Sequence, residues 1–203
     1  MQAKLEALFP TSLLRVSLPR EFTPPELTFI KAGKKNTRKN HMNKYTEETN
    51  VLNFDAFRNI KGFIMSALKC YLKDILKTKE YVDIYVSESW INYTDYGESH
   101  HRHYHPNSFL SGVLYIDVLK EDFITFYNPL KTNFLFDTQE NNFLNSQEWN
   151  TKINKRELIV FPSSLEHSVP TNTQKPKHTR ISLSFNTFFR GNVNRNPTIS
   201  LSV

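Results

Sequence analysis

From Glu80 onward the chain is written in short runs that alternate apolar and polar residues, a period of two that leaves little alternative to a β-rich core. Segments 81–85, 89–93, 110–118, 123–127, 157–161 and 179–188 are dominated by β-branched and aromatic residues, which suit a pleated, half-buried surface. Turn-forming residues part them: Gly97, Pro106-Asn107, Asn128-Pro129, Pro162 and the stretch from Pro170 to Pro176. Many short strands in succession predict a sandwich or a barrel.

The period changes upstream. Phe57, Ile60, Ile64, Ala67, Leu68, Tyr71, Leu72 and Ile75 recur three or four residues apart, with Arg58, Lys61, Lys69 and Lys73 between them. That pattern predicts an amphipathic helix covering one face of the sheet, with Asn53 or Asp55 as its N-cap. The first thirty residues mix short apolar runs with Pro10, Pro19, Pro24 and Pro25, which reads as an edge strand or extended arm followed by a turn. Residues 131–155 are polar and weakly patterned, a long excursion that could act as a lid. Without a repeat or a linker, 1–203 reads as one domain. Its expected parts are an arm and basic loop (1–53), a helix (54–78), a strand core (80–190) and a tail (191–203).

A chain of 203 residues, 38% of them hydrophobic, can bury a sizeable core. No apolar stretch nears the roughly 20 residues that span a bilayer, and the opening, with Lys4 and Glu6, does not read as a signal peptide. Cys70 is the single cysteine, which excludes an internal disulfide and points to a reducing compartment, the cytoplasm by default. Abundant Asn and Lys beside scarce Gly hint at an AT-rich, viral gene, and then at a host's cytoplasm. Lys31, Lys34, Lys35, Arg38, Lys39 and Lys44, with no acid among them, match the whole net charge of +6. Such a block is a solvated loop or a segment that meets an acidic substrate or a polynucleotide.

The chemistry concentrates in histidines. In His100-His101-Arg102-His103-Tyr104-His105, alternate residues of a regular strand share a face, so His101, His103 and His105 would point one way. Imidazole nitrogen suits iron, zinc, copper and nickel. A further ligand must come from another segment, and His167, after an apolar strand and the Pro162 turn, would sit at a strand end. In 180–186 the alternation puts Arg180, Ser182, Ser184 and Asn186 on one face and Ile181, Leu183 and Phe185 on the other. A polar strand face carrying arginine either meets solvent or lines a wet cavity, where guanidinium is the preferred partner of a carboxylate.

Together these pieces resemble the Fe(II)/2-oxoglutarate-dependent oxygenase superfamily, in particular the small oxygenases of bacteria and phages distantly similar to prolyl hydroxylases. The matching motifs are Trp90-x-Asn92, His103-x-His105-Pro-x-Ser108, Ser111-Gly-Val-x-Tyr115, Phe161-Pro-x₄-His167 and Arg180-x-Ser-x-Ser-Phe-Asn186, with Leu8-Phe-Pro-Thr near the start. The resemblance implies a mainly β chain with flanking helix (α+β). The core would be a double-stranded β-helix, a jelly-roll or cupin-like barrel, buttressed by one or two helices, with iron at its mouth. It implies His103 and His167 as ligands, with His105 where the superfamily has a carboxylate. His101, or Asp95 or Glu98 folding back, are the alternatives to His105. It also implies that Arg180 and Ser182 hold the distal carboxylate of 2-oxoglutarate, helped by Tyr115, with Asn92 and Asn107 facing the pocket. Fe(II), 2-oxoglutarate and O₂ would then be required, and a substrate the sequence does not identify would be hydroxylated as 2-oxoglutarate becomes succinate.

Two other readings stand beside this one. Gly97-x₅-His103-x-His105 and Pro162-x-Ser164-x-x-His167 also resemble cupin motifs, although the glutamate expected after His105 is missing and Ser164 stands in place of a glycine. A cupin-type dioxygenase or isomerase would have no use for Arg180 and Ser182. A nucleic-acid-binding module through Lys31 to Lys44 would leave the histidines without a role. Oligomeric state is not legible.

Overall fold

The computed structural model describes residues 3–6, 8–130, 137–173, 177–195 and 201–203. In chain order it has β1 (Leu14–Ser17), α1 (Pro24–Gly33), β2 (Thr37–Asn40), β3 (Asn43–Thr46), α2 (Arg58–Cys70) and β4 (Asp83–Thr94). There follow β5 (His100–His103), β6 (Leu110–Asp117), β7 (Phe123–Tyr127), β8 (Glu148–Lys152), β9 (Glu157–Pro162), β10 (His167–Val169) and β11 (Arg180–Arg190). A seven-stranded sheet runs β1-β9-β6-β11-β4-β3-β2 and faces a four-stranded sheet β5-β10-β7-β8. From β4 to β11 the chain switches sheet at every step except the β7–β8 hairpin, which is the winding of a jelly-roll.

Each strand's two faces serve different layers. On β11, Leu183 and Phe185 point outward into a core shared with Ile60, Ile64, Leu68 and Leu72 of the helical layer, all nearly inaccessible. The opposite face of β11 looks between the sheets, where Ile124, Phe126, Ile159, Phe161 and Leu165 form a second, smaller cluster. The larger sheet is thus held against helices on one side and closes a barrel on the other.

One close approach requires a glycine. Gly112 of β6 lies opposite Phe185 of β11, and a Cβ there would come within 2.2 Å of the Phe185 ring. Gly112→Ala is therefore expected to destabilise the fold by roughly 1–3 kcal/mol, the usual cost of overpacking. A thermal melt unchanged by the substitution would mean the ring has room to move.

Several local expectations change. Segments 81–85 and 89–93 are one continuous strand, β4. The proline-rich stretch after β1 forms a helix, α1, because Pro24 sits at its first turn and Thr23 with Glu26 makes a capping box. Glu26 accepts from the Thr23 amide at 2.7 Å and pairs with Arg20 at 2.6 Å. Neither Asn53 nor Asp55 caps α2, which is entered through 3-10 turns with Phe57 at its N-cap. Asn53 instead accepts from Lys61 at 2.8 Å, and Asp55 pairs with Arg58 at 2.6 Å. The basic segment is no open loop. It is the end of α1 and the β2–β3 hairpin, an added edge of the larger sheet. The polar excursion supplies β8, the edge of the smaller sheet, while 131–136 lie outside the described residues. Among the described residues no helix is long and apolar enough to cross a membrane.

Candidate metal centre

The larger sheet offers its inner face as a floor of three cross-strand rungs. Register aligns Thr94 with Arg180, Asn92 with Ser182 and Tyr115, and Trp90 with Ser184 and Val113. Asn43, one residue before the Lys44–Tyr93 pair, extends the first rung. All of these line one narrow cavity of about 40 Å³, roofed by His100, His103, His105 and His167 and walled in part by Phe161. A wider cleft of about 940 Å³ between α2 and the start of β4 contains no histidine, so the chemistry, not the space, locates the site.

His103 and His167 are brought together by strand pairing, facing each other across β5 and β10. Their rings lie 4.3 Å apart. His105 follows β5 in a turn that is tied to the barrel: its amide donates to the Ser163 carbonyl at 2.9 Å. The Ser163 hydroxyl in turn bonds Ser108 at 2.7 Å and Ser111 at 2.8 Å, and Ser111 donates to Asn186. This chain of hydroxyls fixes the turn, and with it the third imidazole.

Proton placement follows from the partners. A carbonyl oxygen can only accept, so Nδ1 of His103 donates to His101 O at 2.7 Å and Nδ1 of His167 donates to Leu165 O at 3.0 Å. In the neutral rings both Nε2 atoms are then lone pairs, the arrangement seen in metal-ligating histidines. Nε2 of His105 and of His167 stand 3.3 Å apart, close to the roughly 3 Å between adjacent ligands each about 2.1 Å from one ion. The three candidate ligand atoms lie within 4.8 Å of one another. Burial first, then the neighbouring imidazoles, lowers the pKa of His105 to about 4 and pushes that of His167 well below its usual value. His103 is lowered by burial and by His101, against a hydrogen bond that raises it. The cluster is therefore neutral at pH 7, with lone pairs on Nε2 of His103 and His167.

Arg180 is 4% exposed at the far end of the same cavity. Its Nη2 is bound by the buried carboxylate of Asp122, and its Nη1 donates to Pro170 O at 3.4 Å. The other carboxylate oxygen of Asp122 accepts from the Leu119 amide at 2.8 Å, closing the turn before β7. Arg180 Nε and the Tyr115 hydroxyl are both buried and find no partner among the described residues. Burial keeps the Tyr115 phenol protonated by raising its pKa. Two donors thus stand unused in one cavity, which is where an anion would be held.

The other candidates fall elsewhere. Ser182 lines the cavity, and Asn92 does too, although its carboxamide already bonds Ser184 at 2.9 Å and Trp90 at 3.2 Å. Asn107 is exposed in a turn with φ 57° and is not among the residues that line the cavity. His101 is exposed, its ring lying between those of His41 and His103, and it is not one of the three imidazoles whose ligand atoms converge. Asp95 is engaged by Lys34, Lys44 and Thr179, and Glu98 by Lys44 and the Asp95 amide, so neither reaches the histidines. Six of the seven histidines nonetheless gather here through ring contacts from His41 to His167, which a scattered surface set would not do. Asp122 and Asn43 belong to the cavity wall or its support without any signal in the sequence to single them out.

The family model described as "Putative 2OG-Fe(II) oxygenase" matches residues 88–186, just under half of the chain. No curated protein matches. Among solved structures, a 2OG-Fe(II) oxygenase family oxidoreductase from Burkholderia pseudomallei is 14% identical with a TM-score of 0.56, over 85% of this chain and 83% of that one. A prolyl-4-hydroxylase from Pseudomonas putida is 14% identical with a TM-score of 0.53, over 89% and 92%. HygX from Streptomyces hygroscopicus, with nickel, 2-oxoglutarate and hygromycin B bound, is 10% identical with a TM-score of 0.55, over 87% and 82%. At these identities the likeness is one of fold, the jelly-roll. The family match spans β4 to β11, the strands that carry the histidines and Arg180, so in this half of the chain the likeness to the 2OG-Fe(II) oxygenases extends from fold to sequence.

Proposed function

We propose that the protein is an Fe(II)- and 2-oxoglutarate-dependent oxygenase, a hydroxylase, whose metal is held by His103, His105 and His167. The observation that carries this is the pairing, in one cavity, of three converging imidazoles with the unpartnered donors of Arg180 and Tyr115. A metal site alone would suit a cupin-type enzyme equally well; the buried guanidinium beside it favours a carboxylate cosubstrate. HygX, which shares the fold, is a structure with 2-oxoglutarate bound.

Bound iron with 2-oxoglutarate and O₂ supplies the oxidant, releasing succinate and CO₂ as the substrate is hydroxylated. The chain's own residues prepare for that. The carbonyls of His101 and Leu165 hold the Nδ1 protons and aim both Nε2 atoms inward. Since His167 Nδ1 keeps its proton for Leu165 O, the proton between the two Nε2 atoms belongs to His105, which would ligate a metal through Nε2 only as its other tautomer. Arg180 Nε and the Tyr115 hydroxyl would donate to the distal carboxylate, with Ser182 beside them and Asp122 fixing the plane of the guanidinium. Asn92 lines the same pocket. Phe123, Ile124 and Phe161 wall the cavity and exclude bulk water. Cys70 as the single cysteine fits a reducing compartment, the cytoplasm of a cell or of a phage's host.

Anaerobic titration of 2-oxoglutarate into the Fe(II)-loaded protein tests the reading through the visible charge-transfer band of the chelate. Arg180→Ala is expected to weaken 2-oxoglutarate binding by about tenfold or more, the loss of a charge-assisted hydrogen bond. Iron uptake with no band in the wild type would favour a cupin-type enzyme instead.

A further inference from the structure

The hairpin β2–β3 places two unused polar groups on the cavity side of the larger sheet. The first is Asn43, 2% exposed, whose carboxamide Nδ2 and Oδ1 both lack a hydrogen-bond partner among the described residues although it lines the cavity. A buried amide with neither donor nor acceptor satisfied is uncommon, because it forfeits its hydration and gains nothing in exchange. The second is Arg38. Arg38 pairs with Tyr45, and Tyr45 with Asn92, so strand alternation puts Arg38 on the same sheet face as Asn92 and the cavity. Arg38 is exposed, and no ion pair engages it among the described residues. Its neighbour Asn40, also on that face, reaches the histidines by bonding His100 at 3.1 Å.

Position separates these groups from the cosubstrate site. Asn43 and Arg180 share a rung but stand two strands apart, about 10 Å at the usual strand spacing. A carboxylate held at Arg180 is thus placed two strands away from the position of Asn43. Asn43 lines the cavity together with His100, to which Asn40 of the same hairpin is bonded.

We propose that this hairpin selects the prime substrate. Asn43 hydrogen-bonds an amide-like edge, one donor beside one acceptor, in the group brought to the metal. Arg38 pairs with an anionic group, carboxylate or phosphate, on the same molecule. Lys35, exposed at the start of this hairpin and in no ion pair among the described residues, adds to the positive field beside Arg38. The inference rests on the oxygenase reading, since it assigns a substrate to that site.

Three small probes test it on the full chain loaded with redox-silent zinc(II), with and without 2-oxoglutarate. They are the blocked amino acids N-acetyl-aspartate N′-methylamide, N-acetyl-O-phosphoserine N′-methylamide and N-acetyl-alanine N′-methylamide. The two anionic probes are expected to shift the Asn43 side-chain amide resonance and to bind about tenfold more tightly than the neutral one. Their ranking tells carboxylate from phosphate. Arg38→Gln should erase the anion preference. Asn43→Leu should weaken all three probes about fivefold while the melting temperature holds or rises, since an apolar residue replaces an unpartnered buried amide. Equal binding of charged and neutral probes by the wild type would overturn the proposal. So would an anion preference that survives Arg38→Gln, or an Asn43→Leu protein that melts lower and binds as before. Absence of 2-oxoglutarate binding with probe selectivity intact would instead count against the oxygenase reading and uphold the hairpin's role.

Discussion

Replacing His167 with alanine is expected to abolish tight binding of a divalent metal, while His101→Ala leaves it intact. His167 is 4% exposed, its Nδ1 is committed to Leu165 O, and its Nε2 lies 3.3 Å from that of His105. Removal leaves His103 and His105 on one edge of the site, and two imidazoles without an opposing partner do not retain a metal against water. His101 is the natural control, being exposed and in contact with the His103 ring without belonging to the converging triad. Cobalt(II) titration followed by its visible absorption reads this directly. The wild type and His101→Ala should take up about one equivalent, and His167→Ala should show no saturable uptake in the same range. Retention of metal by His167→Ala would remove this triad from consideration.

Asp122→Ala should produce the largest loss of stability among substitutions around the cavity. Asp122 and Arg180 are both nearly inaccessible, with side chains 2% and 5% exposed. Taking away one member strands a buried charge, at a cost of roughly 3–5 kcal/mol, or a fall in melting temperature on the order of 10 °C for a domain of this size. The double substitution Asp122→Ala with Arg180→Met should recover part of that loss, because no charge is then left unpaired. A loss of under about 1 kcal/mol for Asp122→Ala, as for an exposed ion pair, would show that the pair is not structural. The pair also bears on the proposed cosubstrate site. If His103, His105 and His167 hold the metal as proposed, three neutral imidazoles would leave the two charges of a dication to be met by the two carboxylates of 2-oxoglutarate. Asp122 offsets Arg180, so such a complex would be neutral as a whole.

Local chemistry was legible wherever a residue's role depends on its neighbours along the chain. Strands β6, β7, β9 and β11 follow from period two and their bounding turns, and α2 from its three-to-four spacing. The polar face of β11, with Arg180, Ser182 and Ser184 turned from Leu183 and Phe185, follows from alternation alone and is what the cavity floor became. The motifs from Trp90 to Asn186 lie within the stretch that the family model matches. What the sequence did not contain was set by pairing between distant segments. Strand alternation would have grouped His101 with His103 and His105, but β5 ends at His103, and the Ser163 carbonyl draws His105 into a separate turn. The basic run became a hairpin because β3 found the open edge of β4, and only that registry turns Asn43 inward and leaves Lys44 to Asp95. Asp122 meets Arg180 across 58 residues of chain. Periodicity reports which side of a strand is apolar, but which polar groups share the enclosed space depends on strand order and register, and those are properties of the closed barrel.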